Sequence, residues 1–176
     1  MGVTANAVTV VGTIGTCVAS LSLIARGHLF AGSITCTAFV LTDLIDGTLA
    51  RLSESGGSAW GAVLDSTMDR IADAAILGSL ILWLERSHDR LIPVVLIALI
   101  AGQLVSYIKA RAESLEIECN GGVAERTERL IIVFVAIGFA GLGVGYILSV
   151  GFWLLALISI FTVGQRISIV HKATRS

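Results

Sequence analysis

The chain has 176 residues, 55% hydrophobic and 14% charged, with a formal net charge of −1 and a mean hydropathy of +0.90. A soluble domain carries about a quarter charged residues, so the composition excludes a soluble globular enzyme. No basic stripe with interleaved aromatics is present, which excludes a nucleic-acid binder. The chain reads as an all-α integral membrane protein, with 1–176 as a single domain.

A helix needs ~20 mainly apolar residues to cross the hydrocarbon, and such stretches fall at 6–25, 29–52, 59–84, 91–115, 129–148 and 149–171. Six spans are expected. The first lacks a basic n-region and a small-residue cleavage site, so it is expected to be a retained helix rather than a signal peptide. The second ends in "TDLIDGTLAR", and the third opens with "WGAVLDSTMDR" after the short polar connection "LSESGGS". Pro93 lies just inside the start of the fourth, where its missing N–H does least harm. The 19 Gly suit close helix packing in lipid. Cys17, Cys36 and Cys119 form no CxxC pair, and are read as reduced thiols, two of them packing residues.

With six spans both termini share a side. That side holds Arg51, Lys109, Arg111, Arg126, Arg129, Arg166, Lys172 and Arg175, against Arg26, Arg86 and Arg90 opposite. Arg70 is not counted because it falls inside the third span. The asymmetry predicts a multi-pass cell (inner) membrane protein with both termini in the cytoplasm.

Asp43, Asp46, Gly47 and Ala50 are spaced i, i+3, i+4, i+7, one stripe at the cytoplasmic end of the second helix. Gly61, Asp65 and Asp69 repeat at i, i+4, i+8 on the third, with Asp73 one step deeper. The short connection favours an antiparallel hairpin that sets the two stripes opposite each other. Gly47 and Gly61 would let a bulky ligand approach the backbones. Four Asp facing lipid would cost on the order of 10 kcal/mol, so they are expected to line a polar cavity open to the cytoplasmic side. Two carboxylates ~4 Å apart repel by ~4 kcal/mol at an effective dielectric near 20, so protons or cations must neutralise them. An all-oxygen set without His or thiolate suits Mg²⁺ or Mn²⁺, and a pair of such ions would clamp a phosphate. A proton relay or cation pathway is the reading from another class. It predicts internal repeats at the bilayer midplane, and the acidic motif does not recur in the second half.

"DLIDGTLAR" with "GAVLDSTMD" resembles the signature of the CDP-alcohol phosphotransferase family, and the six-span outline extends that resemblance over nearly the whole chain. The resemblance implies a membrane enzyme with six helices and two divalent ions per site. Its expected reaction is attack of an acceptor hydroxyl on a CDP-linked lipid with departure of CMP. It assigns Asp43, Asp46, Asp65 and Asp69 to the metals and Gly47, Ala50 and Arg51 to the nucleotide, and Gly61 falls on the same stripe as the metal Asp. Arg51 can donate bidentate hydrogen bonds to phosphate. Asp69 lies one turn deeper than Asp65 and is the expected general base, the alternative being a metal ligand only. The chain departs from the family at Thr4 to Asn6, "TAN" where Thr-Pro-Asn is usual.

A second cluster is basic: Lys109 and Arg111 in "SYIKARAES", Arg126 and Arg129 in "VAERTERL", and Arg166 inside the last span. Positive-inside topology with Lys109 snorkelling accounts for part of it, for Arg111 and Arg129 above all. Arg166 needs a partner or a polar cavity. Several cations beside the metal site favour an acceptor that already carries a phosphate. The residues alone specify only a phosphorylated polyol. "SYIKARAE", "AERTERL" and "QR" are most similar to the branch of prokaryotic phosphatidylinositol phosphate synthases, which implies CDP-diacylglycerol and inositol 1-phosphate as substrates among membrane lipids, and a homodimer. Phosphatidylglycerophosphate synthesis from glycerol 3-phosphate is the alternative within the family.

Overall fold

The computed structural model of the protein describes residues 5–52, 58–119, 121–123 and 125–175; the side chains of Ala5 and of 43–52 lie outside the described residues. All regular structure among them is helical, as the composition predicts. Six α-helices follow in order: α1 (Ala5–Ala19), α2 (Leu29–Leu52), α3 (Ala59–Glu85), α4 (Ile92–Glu113), α5 (Arg126–Gly141) and α6 (Tyr146–Ala173). The chain divides into two compact units, Met1–Ser87 and His88–Ser176. Among the described residues, three helical stretches are long and apolar enough to cross a membrane: Asn6–Ile24, Ile92–Glu113 and Tyr146–Ala173; Leu29–Thr42 is a shorter apolar stretch. Val11, Ile14 and Val18 on α1 and Trp153, Leu157 and Ile160 on α6 are exposed. Apolar faces this continuous are foreign to a water-soluble surface. They make this an integral membrane protein.

In the first unit α1 packs against both α2 and α3. Small residues permit the approach: a Cβ at Gly15 would lie 2.5 Å from the Phe39 ring, and one at Gly32 would lie 2.6 Å from Ile24. Ile24, Cys36, Ile76 and Leu80 are wholly buried. Two threonine hydroxyls inside the unit are satisfied locally, Thr16 donating to the Gly12 carbonyl and Thr37 to that of Ser33. The three thiols are free, with Cys36 and Cys119 buried. After Ala19 the chain continues as a π-helical turn, Ser20–Ile24, where the Ala25 N–H reaches back five residues to the Ser20 carbonyl. Gly27 then ends it at φ +92°, with His28 N–H bonding to the Leu23 carbonyl and Gly27 N–H to that of Ile24. That paired pattern closes a helix only where the turning residue tolerates a left-handed backbone. At the start of α3 the Ser58 hydroxyl accepts from the Gly61 N–H at 2.9 Å, capping the helix.

In the second unit α6 packs against both α4 and α5. A Cβ on Gly151 would sit 2.6 Å from that of Ala136, so α5 and α6 nearly touch there. Pro93 falls in the first turn of α4, where it was expected. The last two helices depart from the expected 129–148 and 149–171. Helix α5 starts earlier and ends at Gly141, and α6 begins at Tyr146. The cause is Gly143, at φ +94°, with Val144 N–H bonded to the Phe139 carbonyl and Gly143 N–H to that of Ala140. Apolarity runs on through "GLGVG", but the backbone turns there. At 16 residues, α5 is about 24 Å long.

Candidate metal and phosphate site

Helix α2 stays helical through Asp43, Asp46, Gly47, Ala50 and Arg51 to Leu52, so the spacing expected of the first acidic stripe holds in the backbone. Their side chains lie outside the described residues, and so does the expected connection at 53–57. Helix α3 carries Gly61, Asp65, Asp69 and Asp73 at intervals of four along one uninterrupted helix. Successive members therefore lie one turn, about 6 Å, apart. Gly61 stands beside α1: a Cβ there would come within 3.2 Å of the Asn6 amide oxygen and of the Ser58 hydroxyl. The absent side chain brings the start of α3 against the start of α1.

Asp69 and Asp73 are largely buried, with side-chain exposures of 17% and 15%. Between them lies Arg70, one Nη of which is 3.5 Å from an Asp73 oxygen and 3.9 Å from an Asp69 oxygen. The topology count left Arg70 out because it falls inside the third span. The available signal was its position, next to the last motif Asp and three residues before another carboxylate. Among the described residues no three His, Cys, Asp or Glu converge as metal ligands; α3 contributes one side, and Asp43 and Asp46 would have to supply the other. The donor chemistry fits a hard divalent ion, because the acidic stripe of α3 holds carboxylate oxygens and no His or Cys.

The basic residues gather on α4. Arg166, buried on α6, donates from Nη1 to the Val105 carbonyl at 2.6 Å and from Nε to the Gly121 carbonyl at 3.0 Å. It ties α6 to α4 and to the segment that follows α4. Gly122 completes that contact at φ +132°, where a Cβ would press to 2.5 Å from Thr162. Arg129 is buried too, and a Cβ on Gly102 of α4 would meet its Nε at 3.4 Å. Gly102, Val105 and Lys109 are spaced i, i+3, i+7, so Arg129, Arg166 and the half-buried Lys109 fall along one side of α4. Arg126 begins α5, one turn before Arg129, and is half-buried. Arg111 is exposed and donates to the Ser114 hydroxyl at 3.2 Å, away from that group.

A family model described as CDP-alcohol phosphatidyltransferase matches residues 2–164. A Corynebacterium glutamicum protein named phosphatidylinositol phosphate synthase is 42% identical over 174 residues, 97% of this chain and 79% of that protein. The crystal structure of Mycobacterium tuberculosis phosphatidylinositol phosphate synthase with CDP-DAG bound is 43% identical, at a TM-score of 0.89, covering 96% of this chain and 87% of that one. The structure of the same Mycobacterium tuberculosis enzyme in complex with manganese and citrate matches at a TM-score of 0.88 and 43% identity, over 96% and 83% of the two chains.

Proposed function

We propose a specific reaction from one premise: the chain belongs to the CDP-alcohol phosphatidyltransferase family. It transfers the phosphatidyl group of CDP-diacylglycerol to inositol 1-phosphate, giving phosphatidylinositol phosphate and CMP. The observation that carries this reading is 43% identity over 96% of the chain to a phosphatidylinositol phosphate synthase whose structure holds CDP-DAG. That identity is supported by the basic group along α4, which suits an acceptor with a phosphate of its own.

Asp43 and Asp46 of α2 with Asp65 and Asp69 of α3 would hold two Mg²⁺ or Mn²⁺ ions, which when bound offset charge on the pyrophosphate oxygens. Gly47, Ala50 and Gly61 leave room for the nucleotide against the helices, and Arg51 pairs with a phosphate oxygen. Lys109, Arg126 and Arg166 hold the acceptor phosphate, with Arg129 in a supporting position; Arg111, turned to Ser114, takes no part. Asp69 accepts the proton of the attacking hydroxyl. The hydroxyl oxygen bonds to the lipid-side phosphorus as the bond from that phosphorus to the CMP oxygen breaks. The 176 residues act as one domain of six membrane-crossing helices around a polar cavity. The cavity and both termini face the cytoplasm, in a homodimer of the cell membrane.

Purified protein with CDP-diacylglycerol and Mg²⁺, offered inositol 1-phosphate, glycerol 3-phosphate, inositol or serine, should release CMP with inositol 1-phosphate alone. Preference for glycerol 3-phosphate would replace this reading with phosphatidylglycerophosphate synthesis. A Cys placed at Ser55 should resist impermeant thiol reagents in intact cells; labelling there would reverse the orientation.

A further inference from the structure

Arg70 has no part in the reaction as described, yet it is a guanidinium inside a helix that otherwise reads as a span. An Arg at such a position is retained where carboxylates answer it, and two do: Asp73 at 3.5 Å and Asp69 at 3.9 Å, all three side chains being three-quarters or more buried. Asp73 lies three residues beyond Arg70, the spacing at which helix neighbours pair. The shorter distance belongs to that pair, and the longer one to Asp69. The guanidinium is thus anchored on Asp73 and leans on Asp69. An Arg is charged at every working pH, so its pull on Asp69 is permanent.

We infer that Arg70, anchored by Asp73, is a positioning residue that restrains the Asp69 carboxylate and moderates its hold on a divalent cation. The inference rests on the metal role read for Asp69 above. The cation and the guanidinium draw on the same carboxylate, so strengthening one contact weakens the other. Removing Arg70 leaves Asp69 more negative in effect but less fixed in direction. Neutralising Asp73 does the reverse, freeing Arg70 to pair more fully with Asp69. Disruption of the helix alone would shift both variants the same way, whereas this arrangement moves them in opposite directions.

The test is Mn²⁺ binding to the purified full-length protein in detergent, followed by electron paramagnetic resonance without substrate, beside turnover with CDP-diacylglycerol. Arg70→Gln should bind Mn²⁺ more tightly by about twofold to fivefold, the scale of a partly exposed charge pair, and yet turn over more slowly. Asp73→Asn should bind Mn²⁺ more weakly by a similar factor, and Arg70→Lys, which keeps the charge, should stay within about twofold of the parent. Parallel weakening in Arg70→Gln and Asp73→Asn, or no change in either, would overturn the inference while leaving the metal site standing. If Arg70→Gln does not fold, Asp73→Asn and Arg70→Lys decide: equal affinities in the two overturn it. Failure of the parent protein to bind Mn²⁺ at all would overturn the metal reading itself, and this inference with it.

Discussion

Replacing Arg166 by Met keeps much of the side-chain volume and deletes every donor, which makes it a direct test of what this residue holds. In the parent, Nη1 reaches the Val105 carbonyl at 2.6 Å and Nε the Gly121 carbonyl at 3.0 Å, in a side chain with 3% of its surface exposed. Hydrogen bonds from a charged donor contribute about 1.5–3 kcal/mol each, so losing two should cost about 3–6 kcal/mol. Solvent screening takes little from that figure at such burial. Arg166→Lys should recover part of it, because an ammonium can reach one carbonyl but not both in the same plane. The assay is denaturant unfolding in detergent micelles, with amide hydrogen exchange across the end of α4 and residues 121–123. Exchange there should quicken in Arg166→Met, and the KM for inositol 1-phosphate should rise with it. A stability loss below about 1 kcal/mol, the size of an ordinary substitution, with exchange unchanged, would refute the clamp.

Chelation should abolish CMP release and added Mg²⁺ or Mn²⁺ restore it, with Asp65→Asn requiring more metal; full activity in excess chelator contradicts the metal role. Arg126→Ala should raise the KM for inositol 1-phosphate about tenfold to a hundredfold, the loss of one charged hydrogen bond, and leave that for CDP-diacylglycerol near its parent value. Equal effects on both substrates would count against an acceptor role. Gly151→Ala places its Cβ against that of Ala136, which cannot swing aside, so α5 and α6 must part at about 1–3 kcal/mol, read as a lowered unfolding midpoint. Ser58→Ala removes the cap of α3 and should destabilise by about 0.5–2 kcal/mol, with faster exchange at Gly61 and Ala62 as the check.

The helical stripe of Asp65, Asp69 and Asp73 was legible because the period of a helix follows from spacing alone, and nothing in 59–85 breaks it. Pro93 and the Gly-rich contacts were legible for the same local reason. The break at Gly143 escaped, since apolarity averaged over a window is blind to one residue in a left-handed conformation. Arg166 was recognised as needing a partner, but its carbonyl partners lie 61 and 45 residues away in the chain. Spacing gives no sign of them, so the sequence suggested a phosphate ligand and gave no hint that the same side chain also braces α6 to α4. Arg70 escaped for a different reason: counting charges for topology treated it as an exception, when its answer stood three residues on at Asp73.

Helix α6 has 28 residues, about 42 Å of helix for ~30 Å of hydrocarbon. Tyr146, at its start and 72% exposed, is the kind of ring that settles at the headgroup level. Measured from there, ~30 Å of rise would end near Arg166, with His171, Lys172 and Arg175 beyond it. On that placement hydrophobic matching would act on the residue that joins α6 to α4. In a thicker bilayer α6 would have to stand more upright or draw Arg166 into hydrocarbon, and in a thinner one it could tilt. Turnover in reconstituted vesicles should accordingly fall as acyl chains lengthen, at unchanged headgroup composition.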